Sequence, residues 1–412
     1  MRPGQTSTPG LRFARPALAA ALAWPLLLGA AVAVRAAAPA AAQDVPALQL
    51  MHAHAAQSCP ARAQSAIGGA QVDMDAIASG PGCAVYAAGT VNLSKSTALY
   101  DWGGRAWKHR SSFSGGEYSN LYAITARSAT GTWTVGYTDN SVADQTLIER
   151  LTSKGWVSYA SPSPAGTVAN NDLYGVAAAG SSAWAVGADQ VTDGSASTAL
   201  ILGWTGKKWV VVHSPAIAQA QDSALFSAAA SSPSSAWAVG TAVRGAVSRP
   251  LIERFQHNRW AVVSSPAEVG ELESVTVISA RNAWAVGYRT VAGTDKTLIE
   301  HWNGARWSVV SSPNVARADG SSAGNQLRGV AASSATSAYA VGAVESSANS
   351  SVEVTLLLHW NGQKWARVAS PDPAGTSGTN ELQGVSASSA SGFWIVGSYL
   401  ADDMWHSFAL HK

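Results

Sequence analysis

The residues of this 412-residue chain that could do chemistry come in matched sets. His301, His359 and His411 follow one another at 58- and 52-residue intervals, and Glu149, Glu253 and Glu300 directly precede Arg150, Arg254 and His301. Imidazole is a common metal ligand, and paired carboxylates about 5–9.5 Å apart cleave glycosidic bonds. Sets recurring at such intervals are copies of one position in a repeat, and copies on separate repeats diverge in space. They do not bring nitrogens to within about 2 Å of one ion, nor two carboxylates to one bond. The other residues at the histidine position are Asp101, Arg150, Gly203 and Arg254, which reads as a solvated site; Leu interchanges with the glutamates, which reads as a half-buried one. No Gly-x-Ser-x-Gly elbow frames a serine nucleophile. The sequence therefore assigns no catalytic residue, no metal site and no cofactor.

The elements that carry these residues are written seven times. Gly89, Gly136, Gly187, Gly240, Gly287, Gly342 and Gly397 each close an Ala-x-Val-Gly-like segment, spaced 47 to 55 residues apart. The unit is clearest from Leu272 to Pro313, and fifteen of the 17 Trp fall on three of its positions. It holds four short runs rich in Val, Ala, Trp and Ile, as strands require: A (Leu272–Ser279), B (Asn282–Tyr288), C (Thr297–Trp302) and D (Arg306–Ser311). The Trp-Asn-Gly-Ala-Arg-Trp link between C and D carries a strong hairpin signal. Four-strand units with a period near 50 predict an all-β, seven-bladed β-propeller of four-stranded antiparallel blades. Trp133, Trp184, Trp237, Trp284 and Trp394, with Tyr86 and Tyr339 in the other two blades, recur once per unit and read as packing between blades.

The ends imply closure and export. The last unit stops after its C strand, Ser407–Lys412, so an N-terminal strand is expected to complete the blade, with Ala47–Met51 as the candidate. Ahead of it, Arg2, Arg12 and Arg15 precede the apolar run Ala17–Val34 and the small residues Ala36–Ala42, the order of a cleaved secretory signal. The predicted organisation is a signal peptide at 1–42, a segment with the closing strand at 43–72 and a propeller at 73–412. Removing the signal takes four Arg and leaves 23 basic and 25 acidic residues, a balance without the basic footprint of a nucleic-acid partner. No later segment predicts a membrane span, and a secreted or cell-surface monomer is expected. Export permits a disulfide between Cys59 and Cys83, the only cysteines. It is strained if Cys59 ends a strand D, which runs to the face opposite Cys83, and it forms if Cys59 sits in a loose connector.

The Ala-Trp-Ala-Val-Gly (283–287) and Trp-Asn-Gly-x-x-Trp (302–307) segments resemble the repeats of secreted bacterial propellers, and more distantly the kelch and galactose-oxidase superfamily and repeats of the photosystem-assembly type. The resemblance covers residues 73–412 and implies the architecture, not an activity. A single Gly stands where kelch units carry a pair, the Asp-box turn of sialidases is missing, and two N-terminal cysteines do not match the cross-linked copper site of galactose oxidase.

Function is expected where the repeats differ. D–A and B–C connections share one face, the loop face, with polar segments of changing length such as Asp189–Thr198, Ala343–Val354 and Tyr399–His406; short A–B and C–D turns share the other, the turn face. The second residue of each predicted strand A starts near the loop face, beside the channel. In blade order it is Asp75, Tyr122, Tyr174, Phe226, Glu273, Arg328 and Gln383. Three aromatics facing an arc of polar groups suit a sugar. The expectation is a non-catalytic recognition or scaffold module that binds a glycan or surface protein on the loop face. The alternative is a polysaccharide hydrolase or lyase with acids from loops, such as Asp402 and Asp403.

Overall fold

The computed structural model describes residues 64–412 except 70, 92–95, 114, 117, 127–130, 191–195, 216, 218, 318, 347–351 and 389–391. Its 28 strands form seven four-stranded antiparallel sheets, with no helix among the described residues. Blades 1 to 6 are continuous in sequence: 72–110, 119–159, 171–212, 222–262, 271–309 and 325–367. Blade 7 joins residues 380–411 to an N-terminal strand, β1 (Gln64–Ile67). The fold is a seven-bladed β-propeller.

The closing strand differs from the one expected. It is β1, whose Gln64 pairs with Leu410 and Ile67 with Ser407, while Ala47–Met51 lies outside the described residues. Only residues 68–71 separate β1 from strand A of blade 1 (Val72–Ser79), so a short D–A connection closes the ring. Ser407 fastens the joint: its hydroxyl accepts from Met74 N at 3.0 Å and donates to Val72 O at 2.9 Å. Cys83 is disulfide-bonded; Cys59, like the predicted signal, lies outside the described residues.

The tryptophans form the joints between blades. Trp237, on strand B of blade 4, packs on Trp302 and Trp307 of blade 5 with ring centroids 4.9 and 5.1 Å apart. The same trio recurs as Trp133 with Trp204 and Trp209, as Trp284 with Trp360 and Trp365, and across the closure as Trp394 with Trp102 and Trp107. In several blades the residue paired with the strand-B aromatic across strand C covers its face. Arg150 and Arg254 lie 4.7 Å over Trp133 and Trp237, and His301 lies 4.3 Å from Trp284. In these blades the position is thus a lid on the joint, while blade 3 has Gly203 there and blade 1 has Asp101, paired with Arg110. Among the described residues, no three His, Cys, Asp or Glu gather where they could hold a metal ion.

The matched glutamates are inter-blade bolts. Glu149, Glu253 and Glu300 are fully buried, and each accepts from the connection that leaves the preceding blade. Phe113 N donates to Glu149, Ser214 Oγ to Glu253 at 2.9 Å and Ser265 Oγ to Glu300 at 2.6 Å. Burial pushes all three carboxyls up to about 7.

Candidate functional site

Every innermost strand breaks its register at the same point. The shifts fall between Met74 and Ala76, Leu121 and Ala123, Leu173 and Gly175, Leu225 and Ser227, Leu272 and Ser274, Leu327 and Gly329, and Leu382 and Gly384. The unpaired residues are Asp75, Tyr122, Tyr174, Phe226, Glu273, Arg328 and Gln383, the seven singled out from the sequence. A β-bulge re-aims its extra residue, and here the seven converge on the channel. The bulges also explain the repeated glycine. A Cβ on Gly240 would overlap the Ala224 carbonyl and the Leu225 Cα, and an overlap with the equivalent carbonyl recurs at the other six closing glycines. The motif that reveals the repeat is therefore the space that the bulge requires.

The seven form a constriction rather than an open mouth. Tyr174 and Phe226 are 5% exposed, Arg328 is 6% exposed, and Glu273 and Gln383 are also buried. Tyr122 and Tyr174 lie 5.5 Å apart and Tyr174 and Phe226 5.9 Å apart, so these rings pack on one another. Beneath them lies a cavity of about 160 Å³ lined by six of the seven. It is below the roughly 300–1,000 Å³ typical of small-molecule pockets. On the turn-face side the channel widens to about 920 Å³ between Ala, Val and Ile side chains with Ser79, Thr125, Thr276 and Ser386.

The charged arc is internally matched. Arg328 pairs with Glu381 and, at 3.1 Å, with Glu353. Burial works against its charge, but Glu353 and Glu381 outweigh that and hold the guanidinium above its ordinary range. Burial pushes the Glu353 carboxyl up to about 8, against the pull of Arg328 and with the repulsion of Glu381. Asp73, two residues before the blade-1 bulge, is pushed up to about 6 by burial and by Glu381; it accepts from Ser398 Oγ at 2.6 Å.

The accessible chemistry lies on the loop-face side of the ring, at blades 1 to 3. Tyr118 stacks on Tyr137 at 5.8 Å and 26°, and Tyr137 lies 5.7 Å from Tyr122. Tyr118 and Tyr122 remain partly exposed. Beside them, Asn120 Nδ2 donates to Asp75 at 3.2 Å, and Tyr174 OH donates to Asp172 at 3.3 Å. Burial, then the neighbouring aspartates, raise the Tyr122 and Tyr174 hydroxyls. These phenols stay protonated donors next to carboxylate acceptors, an arrangement that reads hydroxyl groups while its rings offer apolar faces.

Tyr118, Tyr137, Asp73 and Asn120 were not anticipated from the sequence. A signal existed for Tyr137: it follows the closing Gly136, where blade 1 has Thr90 and blade 3 has Ala188. That position varies among Thr, Tyr, Ala and Ser from blade to blade, less widely than the bulge position. The segments expected to be long B–C loops also change. Tyr399–His406 is mostly strand, with only Asp402–Asp403 turning between Gly392–Ala401 and Met404–His411. Both aspartates have positive φ, 51° and 58°, which fits a tight hairpin. Residues 191–195 and 347–351, inside the other two expected loops, lie outside the described residues.

No protein-family model matches the chain, and no curated protein matches it. Solved structures share its shape. A catalytically inactive virginiamycin B lyase from Staphylococcus aureus, with quinupristin, is 12% identical with a TM-score of 0.53, covering 84% of this chain and 98% of that one. An ulvan lyase from a new family of polysaccharide lyases, bound to -[GlcA(1-4)Rha3S]-, is 8% identical with a TM-score of 0.53, covering 85% of this chain and 96% of that one. Similarity at these identities shows that this chain shares the propeller fold of both.

Proposed function

We propose that this protein is an exported, non-catalytic recognition module whose ligand is a glycan docked on the loop face over blades 1 to 3. The observation that carries the reading is the Tyr118–Tyr137–Tyr122 stack set beside Asp75 and Asn120. A pyranose has an apolar face that rests on such rings, and hydroxyls that pair with carboxylate, amide and phenol groups. Aspartates around the stack disfavour a uronate or sulfated sugar there and favour a neutral or amino sugar. The lyase alternative gains no support at this mouth, because Arg328, its buried cation, is already paired with two glutamates. Asp402 and Asp403 form a hairpin turn rather than a facing pair of acids. A surface protein reading the same rings is the competing partner.

The test is binding of the purified chain from residue 43 onward to a panel of neutral, amino and acidic glycans, beside Tyr118→Ala. Tyr118 is a better probe than Tyr174 or Phe226, whose truncation removes buried packing. Saturable binding to a neutral or amino-sugar glycan, lost in a variant that melts normally, is the expected result. Neutral or amino-sugar binding that survives the substitution would move the site elsewhere, and product formation on any panel member would overturn the non-catalytic reading.

A further inference from the structure

The two faces of the propeller carry different charge. Six C–D hairpins place a cation at or beside the turn: Arg105, Lys154, Lys208, Arg259, Arg306 and Lys364, all exposed. Lys207 and Lys108 add to blades 3 and 1, and Arg281, in an A–B turn, adds to blade 5; these too are exposed. No Asp or Glu stands in any described A–B or C–D turn. Asp101, in strand C of blade 1 beside its turn, is already paired with Arg110. Acids lie instead toward the loop face, as with Asp139, Asp189, Asp295, Asp319 and Glu345, where cations are interspersed and one pair, Arg317–Glu345, closes at 2.6 Å. The near-neutral balance of the propeller thus hides a one-signed face.

Folding does not require this arrangement. Sequences around the cation differ between blades, from Gly-Gly-Arg-Ala (103–106) to Ser-Lys-Gly (153–155) and His-Asn-Arg (257–259), yet the sign is the same each time. No ion pair reaches these nine side chains among the described residues. Like charges repel on a compact surface, and surfaces built for solubility alone mix signs.

We propose that the turn face is a docking surface for a polyanionic glycan, a linear chain bearing carboxylate or sulfate groups. It is separate from the loop-face site and independent of that reading. The short hairpins favour this partner over two other polyanions. Inserting into an anionic membrane takes apolar anchors, and none of the exposed large hydrophobics, which include Val157, Val211, Val262 and Val309, lies in an A–B or C–D turn. Nucleic acid is gripped by an element entering a groove or by exposed rings stacking on bases; the C–D tryptophans are instead turned into the blade joints. A flexible charged chain needs neither and follows the rim by charge alone.

The experiment measures binding of the chain from residue 43 onward to polygalacturonate and dextran sulfate. Neutral dextran, a DNA duplex and anionic phospholipid vesicles run in parallel. Saturable binding to both charged glycans and none to neutral dextran is expected, weakening at least about tenfold between roughly 50 and 200 mM salt. The exposed triple variant Lys207→Glu/Lys208→Glu/Arg259→Glu should lose about tenfold or more in affinity. Arg306→Glu/Lys364→Glu repeats the test on blades 5 and 6 should the first variant fold poorly. Arg244→Glu/Arg289→Glu, on the loop face, and Tyr118→Ala should leave this binding unchanged. Absence of glycan binding, insensitivity to the turn-face reversals, or tighter binding to DNA or vesicles would each overturn the proposal.

Discussion

The joints between blades and the ring around the channel are built on the same sevenfold frame and use it in opposite ways. At the joints the residue type repeats: a Trp of one blade meets two Trp of the next in four of the seven interfaces, the closure among them. At the ring the backbone repeats, bulge for bulge, while the side chains run from Asp75 through three aromatics to Arg328. Repetition of type marks what each blade needs in order to pack. Repetition of geometry with divergent type marks positions that packing leaves free, and there the chain has assembled aromatics on one side and an ion cluster on the other.

The largest effects should fall on the joints and the ion cluster. Trp237→Ala opens the blade 4–5 joint and should cost about 3–5 kcal/mol in denaturant unfolding; a loss under about 1 kcal/mol would mean that the trio is decoration. Arg328→Met should cost a similar 3–5 kcal/mol, because it strands Glu353 and Glu381 in the interior. Adding Glu353→Gln and Glu381→Gln should recover most of that loss, and failure to recover would show that the arginine acts through packing.

Next is the glycine that makes room for the bulge. Gly240→Ala pushes a Cβ into the Ala224 carbonyl and should cost about 1–3 kcal/mol, as overpacking does. Gly206→Ala offers the contrast, since nothing lies near its Cβ and its penalty arises from positive φ, 88°. Equal loss by both would detach the repeated glycine from the bulge.

A smaller, pH-dependent effect separates bolts from ring. Glu149, Glu253 and Glu300 hold their protons up to about pH 7 in the folded protein and release them near the ordinary carboxylate value once unfolded. Because the folded state binds the extra protons, stability is greatest below about pH 5 and declines as pH rises through about 7. The decline is up to about 3 kcal/mol per site at 1.36 kcal/mol per pH unit. Melting temperature should therefore fall from pH 5 to pH 8, and Glu253→Gln should flatten the slope. A melting temperature that rises across that range would contradict the buried-acid account.

Much of this was legible in the sequence because packing between blades demands the same residues each time. The Trp positions, the closing Gly and the Asn-Gly hairpins returned the blade number and the strand pattern directly. The seven ring positions were also legible, but as the start of a strand instead of a bulge: a bulge has no side-chain signature of its own. Strand β1 was missed because Gln64-Ser65-Ala66-Ile67 buries fully only its last residue and carries no aromatic. The outer ends of the B–C hairpins read as loops because they project beyond the core, where exposed strands are polar. Charge segregation between the faces does not show along the chain, because successive turns alternate between the faces and their charges must be regrouped face by face.

Calorimetric titration of one neutral or amino-sugar glycan into three folded proteins decides whether the loop-face rings beside Asp75 bind a sugar. The proteins are the parent chain, Tyr118→Ala and Lys154→Ala on the opposite face. Saturable binding by the parent and by Lys154→Ala is expected, with a loss of about tenfold or more in Tyr118→Ala, the scale of an aromatic hot spot. Equal affinity in all three proteins, or no binding of any neutral or amino-sugar glycan by the parent, would remove the sugar site from these rings.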